Sequence, residues 1–147
     1  MSRVHITMPD TFIFSTELQV RLADVVGGFH LGNHVLVSYF NEALMLCLRE
    51  YGFPTPEIDG AVLINADLAV IYKSESFHGD FLKIDVAAGN FTRAGFDFHF
   101  RITNRRTGRE TASAKMGMLF LNHDTRKSAD MPRRFRDVFE KIGSGGR

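Results

Sequence analysis

Tryptophan is absent from this chain of 147 residues, and cysteine occurs once, at Cys47. A single thiol excludes a disulfide within the chain, and its place in an apolar, helix-spaced run reads as a small core hydrophobe, suited to a reducing compartment. Charge of one sign is also lacking. The net charge is +1 with His neutral, so no overall field argues for nucleic acid. No apolar run approaches the roughly 18 residues that cross a bilayer, and Met1 to Asp10 holds no stretch resembling a signal peptide. The expectation is a cytoplasmic protein without membrane or nucleic-acid partners. Neither a G-x-S-x-G nor a Walker pattern occurs, which leaves serine-hydrolase and phosphate-loop readings unsupported. His5, His78, His99 and His123 are scattered without metal-ligand spacing, so no metal is expected. Repeats, low-complexity blocks and linkers are missing too. The chain reads as one domain over 1–147, with an ordered core over about 11–142 and a flexible tail over 143–147.

Apolar residues are plentiful at 44%, with fourteen Phe among them, enough for a core without staples. Their spacing assigns the elements. Phe12 to Leu22 alternates, with Phe12, Phe14, Thr16, Leu18, Val20 and Leu22 on one face, as in a half-buried strand. From Asn33 to Tyr51 the period becomes helical, and Val35, Leu44 and Leu48 widen the apolar stripe nearly all the way round. A helix this apolar belongs in a core. Gly52, Pro54 and Pro56 end it, and Glu57 to Gly60 reads as a loop. Alternation then returns, with Val62, Ile64, Ala66, Leu68, Val70 and Tyr72 sharing a face. Phe81 to Ala87 follows, then Gly89-Asn90 as a hairpin turn. Phe96, Phe98, Phe100 and Ile102 line the next strand. Ala112, Ala114, Met116, Met118 and Phe120 line the last. Pro132 opens a short basic helix, Arg133 to Ile142.

Short connections make neighbouring strands antiparallel. An antiparallel sheet with one apolar face, together with one apolar helix, is satisfied when the sheet wraps the helix. The predicted fold is α+β, with a five-stranded antiparallel sheet around one long helix and a short C-terminal helix.

Chemistry concentrates between the first strand and the long helix. Asp24, His30, Asn33 and Glu42 are the polar members of an otherwise apolar and glycine-rich stretch. Backbone N–H groups at a helix start are unsatisfied and favour developing negative charge, as needed to stabilise an oxyanion. Asn33 suits amide donation to such an oxygen, or N-capping of the helix, or both. His30 is suited to proton transfer. A carboxylate at Glu42 on an apolar helix calls for either a partner or a function.

Val20, Arg21, Asp24, His30, Asn33, Tyr39, Glu42 and Ala43 fit the pattern V-R-x-x-D-x-D-x-x-G-H-V-N-N-x-x-Y-x-x-Y-x-E-E-A. Tyr72 with Gly79-Asp80 fits Y-x-x-P-x-x-x-G-D, and Asn122-His123-Asp124-Thr125 followed by Pro132 fits the ending. Over nearly its whole length the chain resembles the hotdog-fold acyl-CoA thioesterases, in the branch that includes 4-hydroxybenzoyl-CoA thioesterase. The resemblance implies an acyl-CoA or related thioester hydrolase that needs no cofactor beyond the coenzyme A of its substrate. It also implies a homodimer or a dimer of dimers. Asp24 or Glu42 would activate water or attack, while His30 or Asn33 polarises the carbonyl. Lys73, Arg93 and Arg101 are candidates for the CoA phosphates.

One departure matters. Laid down without gaps, the pattern's second Asp falls on Val26, which is neither base nor nucleophile. With two extra residues in the loop, Asp24-Val25-Val26-Gly27 supplies the Asp-x-x-Gly instead, and Asp24 becomes the catalytic carboxylate. The ungapped version keeps more matches. The alternative class is a hotdog protein that binds an acyl thioester or a protein partner without cleaving it. A hydratase-like hotdog is a third reading, although the His/Asp pairing of that branch is not evident.

Overall fold

The structure, a computed structural model, describes residues 3–145. In chain order its elements are β1 (Phe14–Gln19), β2 (Val25–Val26), β3 (His30–Leu31), α1 (Val35–Glu50) and β4 (Glu57–Ile58). There follow β5 (Ala61–Tyr72), β6 (Phe81–Gly89), β7 (Gly95–Asn104), β8 (Glu110–Asn122) and α2 (Arg133–Gly143). Gly146 and Arg147, at the end of the expected tail, lie outside the described residues.

One antiparallel sheet runs β1-β6-β7-β8-β5-β4, curled around α1. The buried residues of α1, Leu36, Tyr39, Phe40, Ala43, Leu44, Cys47 and Leu48, cover about half of its circumference, a stripe broad enough to need a curled rather than a flat sheet. Ser38, Asn41, Glu42 and Arg49 on the opposite side are exposed. Phe40 stacks on Phe100 of β7, with ring centroids 5.1 Å apart. Leu44 and Cys47 are buried, as the apolar periodicity requires, and burial pushes the Cys47 thiol up to about 12.

The sheet has six strands, not five. The sixth is β4, in the segment that reads as a loop. Asp59 and Gly60 both take positive φ, 51° and 84°, and Ile58 pairs with Ala61 across them. That is a two-residue primed hairpin turn, for which Asp-Gly is a strong local signal. β1 is shorter than its alternation suggests. The chain turns after Gln19, and Leu22 lies in a 3-10 turn, 61% exposed.

β5 corrects the expected facing pattern. In its first half Ala61 and Leu63 are buried, not Val62 and Ile64. The register against β8 slips between Asn65 and Asp67. This β-bulge exchanges the faces of everything after it, bringing Leu68, Val70 and Tyr72 opposite Met116, Ala114 and Ala112. The Asp67 side chain accepts the Gly117 N–H at 3.0 Å and pairs with Lys115 at 2.9 Å. A Cβ on Gly117 would stand 2.4 Å from the Asp67 carboxylate, so a larger residue there would push that side chain out of its present hydrogen bond.

The C-terminal helix is basic outside but not peripheral. Phe135 and Phe139 are fully buried, and both meet Phe53 and Phe96 in an aromatic cluster that closes one end of the core. Leu48, fully buried on α1, lies within the enclosure. Leu48→Ala is therefore expected to lower unfolding free energy by about 2–5 kcal/mol, read as a lower urea midpoint with unchanged denaturant slope.

Candidate active site

Between β1 and α1 the chain makes two 3-10 turns and the small β2-β3 ribbon. Gly28 and Phe29 take positive φ, 80° and 63°, a strained choice for a phenylalanine. The path brings His30 and Leu31 against the segment joining β5 to β6. His30 bridges Phe77, and the Leu31 N–H donates to the Ser76 carbonyl at 2.7 Å. A cavity of about 360 Å³ opens here, lined by Val26, His30, Leu31, Asn33 and Leu36 on one wall. Tyr72, Lys73, Ser74, Glu75, Ser76 and Thr111 form the other.

The N-terminus of α1 points into this region. His34 is its N-cap residue, and its side chain makes no capping bond. Asn33 does not cap either. Its carbonyl accepts the Tyr72 hydroxyl at 3.0 Å, leaving the amide on the cavity wall. Among the described residues, the N–H groups of Asn33, His34 and Leu36 find no backbone acceptor. These donors and the helix dipole make the rim electropositive. His30 Nδ1 lies 3.4 Å from the Leu31 carbonyl, so a proton on Nδ1 leaves Nε2 as an acceptor.

Asp24 is buried and lines no part of this cavity. Its carboxylate accepts the Arg21 backbone N–H, Nε and Nη2, each at 3.1 Å, and the Tyr39 hydroxyl at 2.6 Å. The Arg21 guanidinium holds this carboxyl below the ordinary range, with the Tyr39 hydrogen bond acting the same way against the cost of burial. Burial and the neighbouring carboxylate raise the Tyr39 phenol. The cluster staples the loop to α1. On its other side a groove of about 580 Å³ is lined by Leu18, Gln19, Arg21, Ser38, Tyr39 and Glu42. Glu42 therefore stands in a different depression from His30 and Asn33 of the same chain.

Of the basic candidates, Lys73 lies on the cavity wall, its Nζ 3.0 Å from Glu110. Arg101 is bound to Asp85 at 3.0 Å and stacks on Phe12. Arg93 pairs with Asp130 in the β6–β7 connection. That is the opposite end of β7 from the cavity, about 30 Å away at strand rise. The structure thus gathers His30, Asn33 and Lys73, and it holds Asp24, Glu42, Arg93 and Arg101 apart from them.

The second wall went unread in the sequence. Ser74, Glu75, Ser76 and Thr111 belong to no motif, and only Tyr72 and Gly79-Asp80 hinted that this segment mattered. Asp80 explains why the segment is well placed. Its buried carboxylate accepts Arg106 Nε at 2.8 Å, Asn104 Nδ2 at 2.8 Å and the Phe77 N–H at 2.9 Å. Asn104 also donates to Ser76 Oγ at 3.1 Å, which meets Thr111 Oγ1 at 2.9 Å. Among the described residues no cluster of three His, Cys, Asp or Glu side chains could hold a metal, and no helix is long and apolar enough to cross a membrane.

A curled sheet wrapped on the apolar side of one long helix, with a cavity at the helix start, defines a hotdog-fold protein. The thioesterase-like superfamily model matches residues 20–139, and the chain belongs to that superfamily. No curated protein matches it at the level of sequence. Among solved structures it is similar to a 1,4-dihydroxy-2-naphthoyl-CoA thioesterase from Synechocystis. The TM-score is 0.81 at 18% identity, covering 88% of this chain and 96% of that one. A Staphylococcus aureus protein solved in complex with CoA gives a TM-score of 0.84 at 15% identity, covering 97% and 90%. These likenesses establish the fold.

Arg106 and the hydrogen bonds of the segment lower the Asp80 pKa from 3.8 to about 2. The folded-state value is the depressed one, so this stabilisation is complete above the unfolded pKa and is lost as pH falls from about 4 to about 2. Asp80→Asn is expected to be less stable at neutral pH and to show a flatter stability profile across that window. Urea unfolding at stepped pH measures both effects.

Proposed function

We propose that this protein hydrolyses an acyl-CoA or a related acyl thioester, releasing a free acid and a thiol. The observation that carries the reading is the cavity at the open end of α1, shared by His30 and Asn33, in a chain of the thioesterase-like superfamily. The thioester carbonyl would lie against the free N–H groups of the helix start, with the Asn33 amide as a further donor. Charge developing on that oxygen in the transition state strengthens these bonds, which is how such a site lowers a barrier. His30, on the same cavity wall, would polarise the carbonyl beside these donors. Asp24 acts as a positioning residue, its lone pairs already committed to Arg21 and Tyr39. Glu42 is the notional carboxylate for a site completed across a dimer. Lys73 is the basic residue best situated for CoA phosphates, whereas Arg93 and Arg101 reach them only along an extended ligand. No cofactor beyond the CoA of the substrate is invoked, and the protein is assigned to the cytoplasm.

A two-fold dimer belongs to the same reading. β5 pairs with β8 along one side, but on the other it meets β4 only at Ala61 and Val62. Its remaining backbone offers a long unpaired edge. Leu68 and Tyr72 on it are 40% and 50% exposed. Antiparallel pairing of two β5 edges would continue the sheet and bring the partner beside the cavity at Tyr72. A dimer of dimers is a compatible larger assembly.

Val26 supports a second reading. It lines the cavity where the family pattern has its second Asp, and a valine there leaves a protein that binds acyl thioesters without cleaving them.

Thiol release from a panel of acyl-CoAs, followed with a thiol reagent, separates the two. Hydrolysis is expected, with Asn33→Ala lowering kcat by about 100-fold while KM changes little. Binding of acyl-CoA without thiol release would favour the second reading. Sedimentation equilibrium at micromolar concentration is expected to give at least a dimer, and a stable monomer would count against the shared β5 edge.

A further inference from the structure

We propose that Glu75 is the catalytic carboxylate of this site, the general base that activates the hydrolytic water; the assignment rests on the thioesterase reading above. Glu75 is the only acidic residue lining the cavity. It is exposed and, among the described residues, holds no hydrogen bond or ion pair, so its oxygens are free to take a proton. Asp24 is the reverse case, its carboxylate accepting four hydrogen bonds from Arg21 and Tyr39. Glu42 of the same chain opens into the separate groove.

Two departures from the family pattern meet in this one cavity. Where the pattern has its second Asp the chain has Val26, and where Y-x-x-P has Pro, four residues into the segment that starts at Tyr72, the chain has Glu75. Val26 pairs with His30, and His30 bridges Phe77 of the segment that carries Glu75. Val26 and Phe77 are thus about two strand widths apart, roughly 10 Å, Glu75 is two residues from Phe77 along the chain, and Val26 and Glu75 both line the cavity. A carboxylate on either one reaches the space between them, and Glu is one methylene longer than Asp. The chain loses a carboxylate from one wall and carries one on the other.

The backbone under Glu75 is held from both sides. The Lys73 N–H donates to the Thr111 carbonyl at 2.9 Å, and Ser74 Oγ donates to the Glu110 carbonyl at 2.8 Å. Ser76 is fixed by Asn104 and Thr111. A base needs this kind of placement, because proton transfer requires heavy atoms within hydrogen-bond reach. In the reaction, Glu75 takes a proton from water as the water oxygen bonds to the thioester carbonyl carbon. The tetrahedral oxyanion faces the N–H groups at the start of α1. The C–S bond then breaks as the carbonyl re-forms, and the proton on Glu75 returns to the departing sulfur. One water is consumed, and one acid and one thiol result, with no change in oxidation state.

The experiment compares the full-length wild type with Glu75→Gln, Asp24→Asn, Glu42→Gln and the double variant Glu75→Gln, Val26→Asp on the acyl-CoA cleaved best. Thermal unfolding confirms that each is folded. Glu75→Gln is expected to lower kcat by about 100-fold or more, with KM nearly unchanged and the acidic limb of the wild-type pH profile lost. Val26→Asp in that background is expected to restore at least about tenfold of the lost rate. If wild type cleaves thioesters and Glu75→Gln does so equally well, Glu75 is not the base and the thioesterase reading stands. If wild type binds acyl-CoA but cleaves none, both fall together.

Discussion

An α-helix whose apolar stripe takes up half or more of its circumference cannot be left on a surface, and the architecture follows from covering that stripe. A flat sheet covers only one side of a helix, so the strands must curl. The register slips in β5 and near the end of β7 supply bends of the kind β-bulges produce. Phenylalanines from β7, β8 and α2 fill the space that the curl encloses. Curling covers the apolar side of α1, and α2 and Phe53 pack at one end of the core. The N-terminal end stays open.

That open end is where chemistry becomes possible. The first N–H groups of a helix have no internal partner, and at this end they border a cavity that Val26, Leu31 and Leu36 also line. The loop before the helix and the segment after β5 are both drawn to the same rim. They are fastened by different carboxylates, Asp24 to Arg21 and Tyr39, and Asp80 to Arg106 and Asn104. Each is spent on position, and the walls they hold carry His30, Asn33, Lys73 and Glu75. Fixed donors around a small cavity need little reorganisation as charge develops, the property that electrostatic catalysis requires.

The unpaired edge of β5 runs to the same region. The strand ends at Tyr72, whose hydroxyl binds the Asn33 carbonyl, so a partner along that edge would border the cavity. A site built at the end of an edge strand inherits its surroundings from whatever completes the sheet.

The helix, the strands around it and the α+β class were determined by the sequence alone, because burial at period 3.6 or 2 is a local property of the chain. The strand order was not, since β5 pairs with β8 rather than with β6, its successor in the chain. His30 and Asn33 were legible for a similar reason, standing beside a helix start that the periodicity locates. The facing of β5 was not legible, because a one-residue bulge at Asn65–Asp67 inverts the pattern and depends on the Gly117 N–H reaching Asp67 across the sheet. β4 escaped because two residues carry no period, although Asp59-Gly60 was available as a turn signal. Only the tertiary structure decided which carboxylate faces the cavity. Asp24 and Glu75 lie 51 positions apart in the chain, and which one is committed and which is free depends on hydrogen-bond partners that folding alone brings together.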